Sequence, residues 1–371
     1  MYMLRFVKYL KCNSDYEFHI LCKSGEFGAL EDDFRKANVR LIPMKQGYFN
    51  LADFLRIKQL MEREHYEAIC DFTGNFAGIP MLVAKLAGCH SRLCFFRSSN
   101  VSFKPTLLRR VYCRLVNRLT YQNATTVLSN SREAFENFFP EDDWLQDSRF
   151  EVVPNGISWR ASVLEDLHRK RLQAEFDLSL ETKVIGHVGR FAGAKNHFAI
   201  LDVAEQMLEI DRNIVFLLIG RDVREHLEGP AKSRKLNNVR FAEERRDVLD
   251  LFWIMDAFYF PSLWEGQPNA VLEAIASEVP FVISDIQPVK ECFPDWWGDQ
   301  WLVPPTDTKA ACKLLLSHLS GEARICEKFQ KLVAWIRQNN SPQLRFEQFL
   351  SHLEFSGSNT GKNGLRELNQ G

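Results

Sequence analysis

Two carboxylates, Glu265 and Glu273, and two cations, Arg190 and Lys195, are the side chains of this sequence whose setting best suits them to chemistry. Glu265 opens a turn that continues through Gly266, Gln267, Pro268 and Asn269. Glu273 lies two turns inside the helix that follows, roughly 10 Å further on at about 1.5 Å per residue. The start of such a helix offers an anion free N–H groups and the positive end of a dipole. Carboxylates repel phosphate but accept hydrogen bonds from sugar hydroxyls, so a ligand with both groups, such as a nucleotide sugar, would use the whole arrangement. Arg190 and Lys195 sit in a second strand-to-helix loop, 189–196. There Gly189 lets the backbone approach a diphosphate and the two cations neutralise it. Acidic residues early in a helix also occur simply to offset its dipole. Pro261 and Ser262 before Glu265, with apolar runs on both sides of the unit, set this pair apart from that plainer case.

The elements that must hold these residues follow from hydrophobic spacing. Residues 257–260 form an apolar strand, Pro268 suits a first helical position, where its missing N–H costs nothing, and 279–283 is the next strand. Val271, Leu272 and Ile275 make one buried stripe, leaving Asn269 and Glu273 together on another face. Strands at 184–188, 214–219 and 239–242, with helices running to 208 and starting at 246, extend this alternation. It predicts a parallel, doubly wound sheet with its ligand site beyond the strand C-termini. The N-terminal half alternates too, with strands at 18–22, 39–42, 68–70, 93–96 and 125–129 and helices at 1–10, 51–64, 79–87 and 131–138. Residues 152–157 are a strand end and turn, and 165–176 reads as a charged helical connector. His187 reads as a packed strand residue and His197 as a surface residue at a helix start. Trp296, Trp297 and Trp301 read as core or lid packing rather than a sugar platform.

With 371 residues, 46% of them apolar, the chain can bury two cores. A formal charge of −1 implies no general attraction to polyanions. The nine cysteines, odd in number and without a C-x-x-C pair, read as free thiols in a reducing cytosol. No run reaches membrane-spanning length and 1–10 lacks a signal peptide's apolar core, so the protein reads as soluble and cytoplasmic. From Phe72 to Arg132 there is no Asp or Glu, while Lys85, Arg92, Arg97, Lys104, Arg109, Arg110, Arg114, Arg118 and Arg132 are basic. Leu107, Leu108, Val111, Leu115 and Leu119 follow helical spacing beside four of these arginines. Such a helix suits peripheral contact with an anionic membrane at its inner face, or is an ordinary domain helix with a charged outer side. Nucleic acid is not an expected partner, because no stacking aromatics or binding motif accompany the charge.

The 260–291 stretch resembles the donor-site signature of retaining glycosyltransferases of the GT-B fold. These belong to the large bacterial group 1 family (glycosyltransferase family 4-like), which includes capsule and lipopolysaccharide sugar transferases. In that family two Glu residues with seven positions between them follow a Pro-Ser, as Glu265 and Glu273 do. The likeness is specific over 183–291. It implies two Rossmann-like doubly wound domains facing a cleft: 1–157 on the acceptor side and 158–335 binding the nucleotide sugar. A helix at 336–355 would cross back to the first domain, and 356–371 is expected to be a disordered tail. The resemblance implies Glu273 on the ribose, Glu265 near the transferred sugar and its phosphate, and Arg190 and Lys195 on the departing diphosphate. Arg221 and the 245–248 turn would surround the base, and Gly189, Gly266, Gln267, Pro268 and Asn269 complete the donor-binding set. The implied reaction moves a sugar from a nucleotide-diphosphate sugar, UDP-sugar by default, to a hydroxyl of a glycan or lipid-linked glycan. It proceeds with retention, in surface polysaccharide assembly. No metal or other cofactor is expected, since no Asp-x-Asp turn follows a strand where it could hold one.

The sequence also departs from the family. No strand precedes the first helix, where the family has a first strand and a glycine-rich loop: either the sequence starts late or this branch lacks that loop. Ser284 to Pro288 replaces a second glycine-rich loop, and Cys70, Asp71 and Phe72 stand where members often carry His. On the acceptor side the turn with Asp71, Thr73 and Asn75, and the strand end with Arg97 and Asn100, should face the cleft. Asp71 is there either to take a proton from an acceptor hydroxyl or to cap a turn. Arg97 is either a phosphate ligand or a solvated loop residue. Two rival functions stay open: a nucleotide-sugar epimerase of GT-B build, and a non-catalytic partner subunit, the latter because of the absent loop and His.

Overall fold

The computed structural model describes residues 2–14, 16–47, 50–98, 106–139, 144–160 and 165–353. Asn100 and the tail at 356–371 lie outside them. The strands in chain order are β1 His19–Cys22, β2 Arg40–Pro43, β3 Ala68–Asp71, β4 Ser91–Phe96, β5 Thr126–Ser129 and β6 Phe150–Val152. The second half adds β7 Lys183–Val188, β8 Ile214–Ile219, β9 Val239–Ala242, β10 Ala257–Phe260, β11 Phe281–Ser284 and β12 Leu302–Val303.

Strands β7 to β12 form one parallel sheet in the order β12-β11-β10-β7-β8-β9. That is the doubly wound Rossmann order, with its reversal between β7 and β10. Near-continuous apolar runs make these strands, because both faces of a parallel sheet are covered; all six residues of β8 are buried. Alternate residues split into two cores. Val184, Leu217, Phe258 and Phe260 face the helices Asn269–Ala276 and Glu327–Asn339. Ile185, Phe216, Leu218 and Tyr259 face His197–Ile210 and Thr308–His318. The helix Asp166–Glu175 is not a free connector. Leu172 and, just beyond it, Phe176 are buried in the first of these cores, so the segment is built into the second domain.

The N-terminal domain is divided differently. Strands β3, β4, β5 and β6 form a parallel sheet in chain order, and β1 and β2 form a separate parallel pair. Among the described residues no strand joins the β1–β2 pair to the four-stranded sheet. The first described element is instead the helix Tyr2–Asn13. Its Phe6 and Leu10 join Phe346 and Phe349 of the helix Pro342–Leu350 over Leu93, Phe95, Leu128 and Val153. The first and last described helices therefore cover one face of the four-stranded sheet. The other face packs on Gly78–Leu86 and Arg132–Phe138 through Met81, Ala134 and Phe135. Gly156 lies where the last helix passes, and a Cβ there would stand 2.5 Å from Pro342 Cα.

Phe349 touches Phe6 edge-on at 4.7 Å and stacks on Phe72 at 5.6 Å. Phe349→Ala should cost about 3–5 kcal/mol of stability, read from the urea midpoint at unchanged m. A loss below about 1 kcal/mol would mean that the returning helix does not hold the first domain together.

Candidate active site

Parallel strands deliver all their C-terminal loops to one sheet edge, and at the order reversal the helices leave on opposite faces, opening a crevice. Loops 189–196 and 261–268 occupy that point. The first is drawn along the exit of β8 by hydrogen bonds from Gly189 N to Ile219 O and from Phe191 N to Arg221 O, both 2.9 Å. The second is tied to the first by Leu263 N donating to Ala194 O at 2.7 Å. As a result Lys195 Nζ donates to Glu265 Oε1 at 2.6 Å, with 19% and 11% of the two side chains exposed. The ammonium also lies 4.5 Å from the centre of the Phe260 ring. Arg190 and Arg221 are exposed on the two adjacent loops. Their charges are available at the rim while that of Lys195 is held by Glu265.

The helix after Glu265 starts one residue later than its pattern suggests: Pro268 is the N-cap and Asn269 the first helical residue. Gln267 and Asn269 turn their side chains to the domain junction. Gln267 Oε1 accepts from Asn155 N, Gln267 Nε2 donates to Asn155 O at 3.3 Å, and Asn155 Nδ2 donates to Asn269 Oδ1 at 3.1 Å. Glu273 also reaches the junction. Desolvation raises its pKa to about 7, against the pull of the Arg5 charge and the Ser158 N–H. Arg5 Nη1 in turn donates to Ser158 Oγ at 2.7 Å. The structure thus gathers Gly189, Arg190, Lys195, Glu265 and Gly266 at one mouth and places Gln267, Asn269 and Glu273 against residues 155–158.

Across the cleft, Gly266 approaches the ends of β4 and β5. A Cβ on it would meet Arg97 O at 2.8 Å and Asn130 Oδ1 at 2.9 Å, so only glycine fits. Glu291 of the second domain accepts from the backbone N–H groups of Arg132 (2.6 Å) and Glu133 (3.2 Å), capping the helix Arg132–Phe138 of the first. Asp71 is buried and its carboxylate is engaged. Oδ1 accepts from Thr73 N at 2.8 Å and Thr73 Oγ1 at 2.5 Å, and Oδ2 from Lys23 Nζ. Of the two roles the sequence leaves open for Asp71, these contacts form the turn cap, and they add an anchor for Lys23. Asn75 is partly buried in the following turn. Lys23, Asn130 and the role of Asn155 escape sequence reasoning; placement just after a strand or turn is the only local mark they carry.

His197 also differs from expectation. It is buried, edge-on to His187 at 4.8 Å and against Phe191 at 5.5 Å. Desolvation lowers its pKa to about 4 and holds that of His187 well below the usual range, so both rings are neutral behind the 189–196 loop. Trp297 and Trp301 pack on Phe281 in the core, while Trp296 is exposed.

Two parallel α/β sheets whose C-terminal edges meet across a cleft, one of them with paired loops at its order reversal, define a protein of the GT-B class. Residues 168–334 match the family described as Glycosyl transferases group 1. EpsF of Bacillus subtilis (strain 168) is 29% identical over 281 residues, covering 73% of this chain and 72% of that one. The UDP-Gal:alpha-D-GlcNAc-diphosphoundecaprenol alpha-1,3-galactosyltransferase of Escherichia coli is 23% identical over 298 residues, covering 74% and 73%. In fold, the chain is similar to Anabaena Alr3699/HepE, solved in complex with UDP-glucose, with a TM-score of 0.78 at 15% identity over 95% of each chain.

A histidine whose pKa is about 4 folded and 6.5 unfolded binds its proton more weakly in the native state. Its contribution to stability is therefore complete above pH 6.5 and declines as pH falls toward 4, by roughly 3 kcal/mol in all. Between pH 7 and pH 4 the stability of His197→Phe should fall less than that of the wild type by about this amount. Parallel curves would place His197 in water.

Proposed function

We propose that this protein transfers a sugar from a UDP-sugar to a hydroxyl of a growing surface glycan, with retention at the anomeric carbon and without a metal ion. The observation that carries the reading is the Lys195–Glu265 pair at the loop junction, 2.6 Å long and mostly shielded from water. An incoming diphosphate displaces Glu265 from Lys195, and Arg190 adds a second cation from the same loop. These charges stabilise the departing diphosphate as the bond from the anomeric carbon to its oxygen breaks. The released Glu265 accepts from a sugar hydroxyl. Asp71 being engaged, the acceptor proton passes to the departing phosphate oxygen as the new glycosidic bond forms on the same face. Glu273 receives the ribose hydroxyls, with Arg221 and the 245–248 turn near the base. A metal is replaced in this scheme by Lys195 and Arg190. The donor class is supported by the Escherichia coli relative, whose name specifies UDP-Gal, and by the UDP-glucose complex of the Anabaena protein. That relative's diphosphoundecaprenol-linked acceptor supports a lipid-linked glycan here.

Isothermal titration with UDP, alongside turnover with a panel of UDP-sugars, tests this. Lys195→Ala should weaken UDP binding at least roughly tenfold. Glu265→Gln should bind UDP as well as the wild type or better, because the competing carboxylate charge is gone, yet lose about a hundredfold or more in transfer. UDP affinity should rise with pH through 7 as Glu273 ionises, and Glu273→Gln should abolish that rise. A chelator should leave the rate unchanged. Equal UDP binding by wild type and Lys195→Ala would remove the donor site, and an epimerised UDP-sugar made without acceptor would replace transfer with epimerisation.

A further inference from the structure

The helix Leu107–Asn123 packs against Gly78–Leu86 with Val116 and Thr120 fully buried. At about 100° per residue the opposite face carries Leu107, Val111 and Leu115, which span an arc of roughly 80°. These three are 79%, 59% and 54% exposed, with none of the described elements over them. Arg110, Arg114 and Arg118 interleave with them on the same outward side and are exposed as well. Among the described residues none of these three arginines has a carboxylate partner, and the chain holds no Asp or Glu from Phe72 to Arg132. A helix serving only as a domain wall would expose polar groups here, and a charged face serving only solubility would mix its signs. An apolar stripe edged by like cations fits a surface that is apolar inside and anionic at its rim.

We infer that the outer face of the Leu107–Asn123 helix docks on an anionic lipid bilayer. The chain direction gives this docking a consequence. β4 points its C-terminal end at the cleft, so the helix that follows it begins at the cleft side with Leu107 and runs away from it. The most exposed apolar residue thus lies at the end of the helix that neighbours the acceptor side. Docking there sets the cleft at the bilayer surface, where the sugar of a lipid-linked acceptor emerges. That last step rests on the transferase reading, whereas the docking does not.

Vesicle sedimentation tests it, with phosphatidylcholine alone and phosphatidylcholine mixed with phosphatidylglycerol. The whole chain should sediment with the mixed vesicles, poorly with the neutral ones, and less at high salt. Each arginine should be worth roughly fivefold, so the combined R110Q, R114Q and R118Q variant should bind about a hundredfold more weakly. Val111→Ser with Leu115→Ser should also reduce binding. All five positions are exposed, so melting temperatures should match the wild type, and turnover on a water-soluble acceptor should be unchanged. The inference is overturned if the wild type ignores the mixed vesicles, or if variants with unaltered melting bind as it does. It is equally overturned if light scattering shows a dimer that Val111→Asp dissolves, since the stripe would then belong to a second copy. Vesicle binding without any sugar transfer would leave the docking standing and remove the transferase reading.

Discussion

The reversal of strand order between β7 and β10 is the constraint on which the rest of the structure depends. It makes neighbours of two loops 70 residues apart in the chain and brings Lys195 and Glu265 into contact. Both groups have lost most of their water, and each compensates the other's desolvation. The same mutual dependence makes the pair exchangeable. An anion able to satisfy the ammonium would free the carboxylate.

The second organising feature is how the domains meet. Their contacts at the cleft are mostly amides and backbone groups: Gln267 with Asn155, Gly266 against Arg97 O, and Glu291 on the N–H groups of Arg132 and Glu133. The helix Arg132–Phe138 has no side-chain cap of its own at Ser131 and takes one from the opposite domain. Separating the domains would strip that helix end of its acceptor. The polar, geometric character of these ties suits surfaces that part and meet again.

Much of this architecture is legible in the residues. β8 coincides with its apolar run, because a strand buried on both faces needs every position apolar and ends where polarity begins. The cation loop and the Glu turn are legible as types, since glycine, cations and carboxylates after strands have few other uses. Their pairing is not, because it is made by sheet order and not by spacing. His197 shows a different limit. Helical spacing allows either His197 or Phe198 to turn inward, and the structure buries the histidine and exposes the phenylalanine, because a neutral ring fits against His187 and Phe191. The segment 165–176 reads as a linker by charge, although Leu172 and Phe176, one helical turn apart, carry the spacing of a buried stripe. Lys23 and Asp71 meet 48 positions apart, a relation that only tertiary structure creates.

The divided N-terminal sheet has a mechanical consequence. Where a central strand would have stitched β1 to β3 by a ladder of backbone hydrogen bonds, the described residues offer side-chain links: His19 with Tyr66 and Lys23 with Asp71 and Thr73. Apolar packing of Leu21 and Met44 beside Ile57 and Met61 lies behind them. A ladder resists shear along its whole length, whereas rivets of this kind resist it only at points, and one of them is ionic. Among the described residues the β1–β2 pair is therefore tied to β3 at points, through His19, Lys23 and the apolar side chains behind them, and not along a backbone ladder.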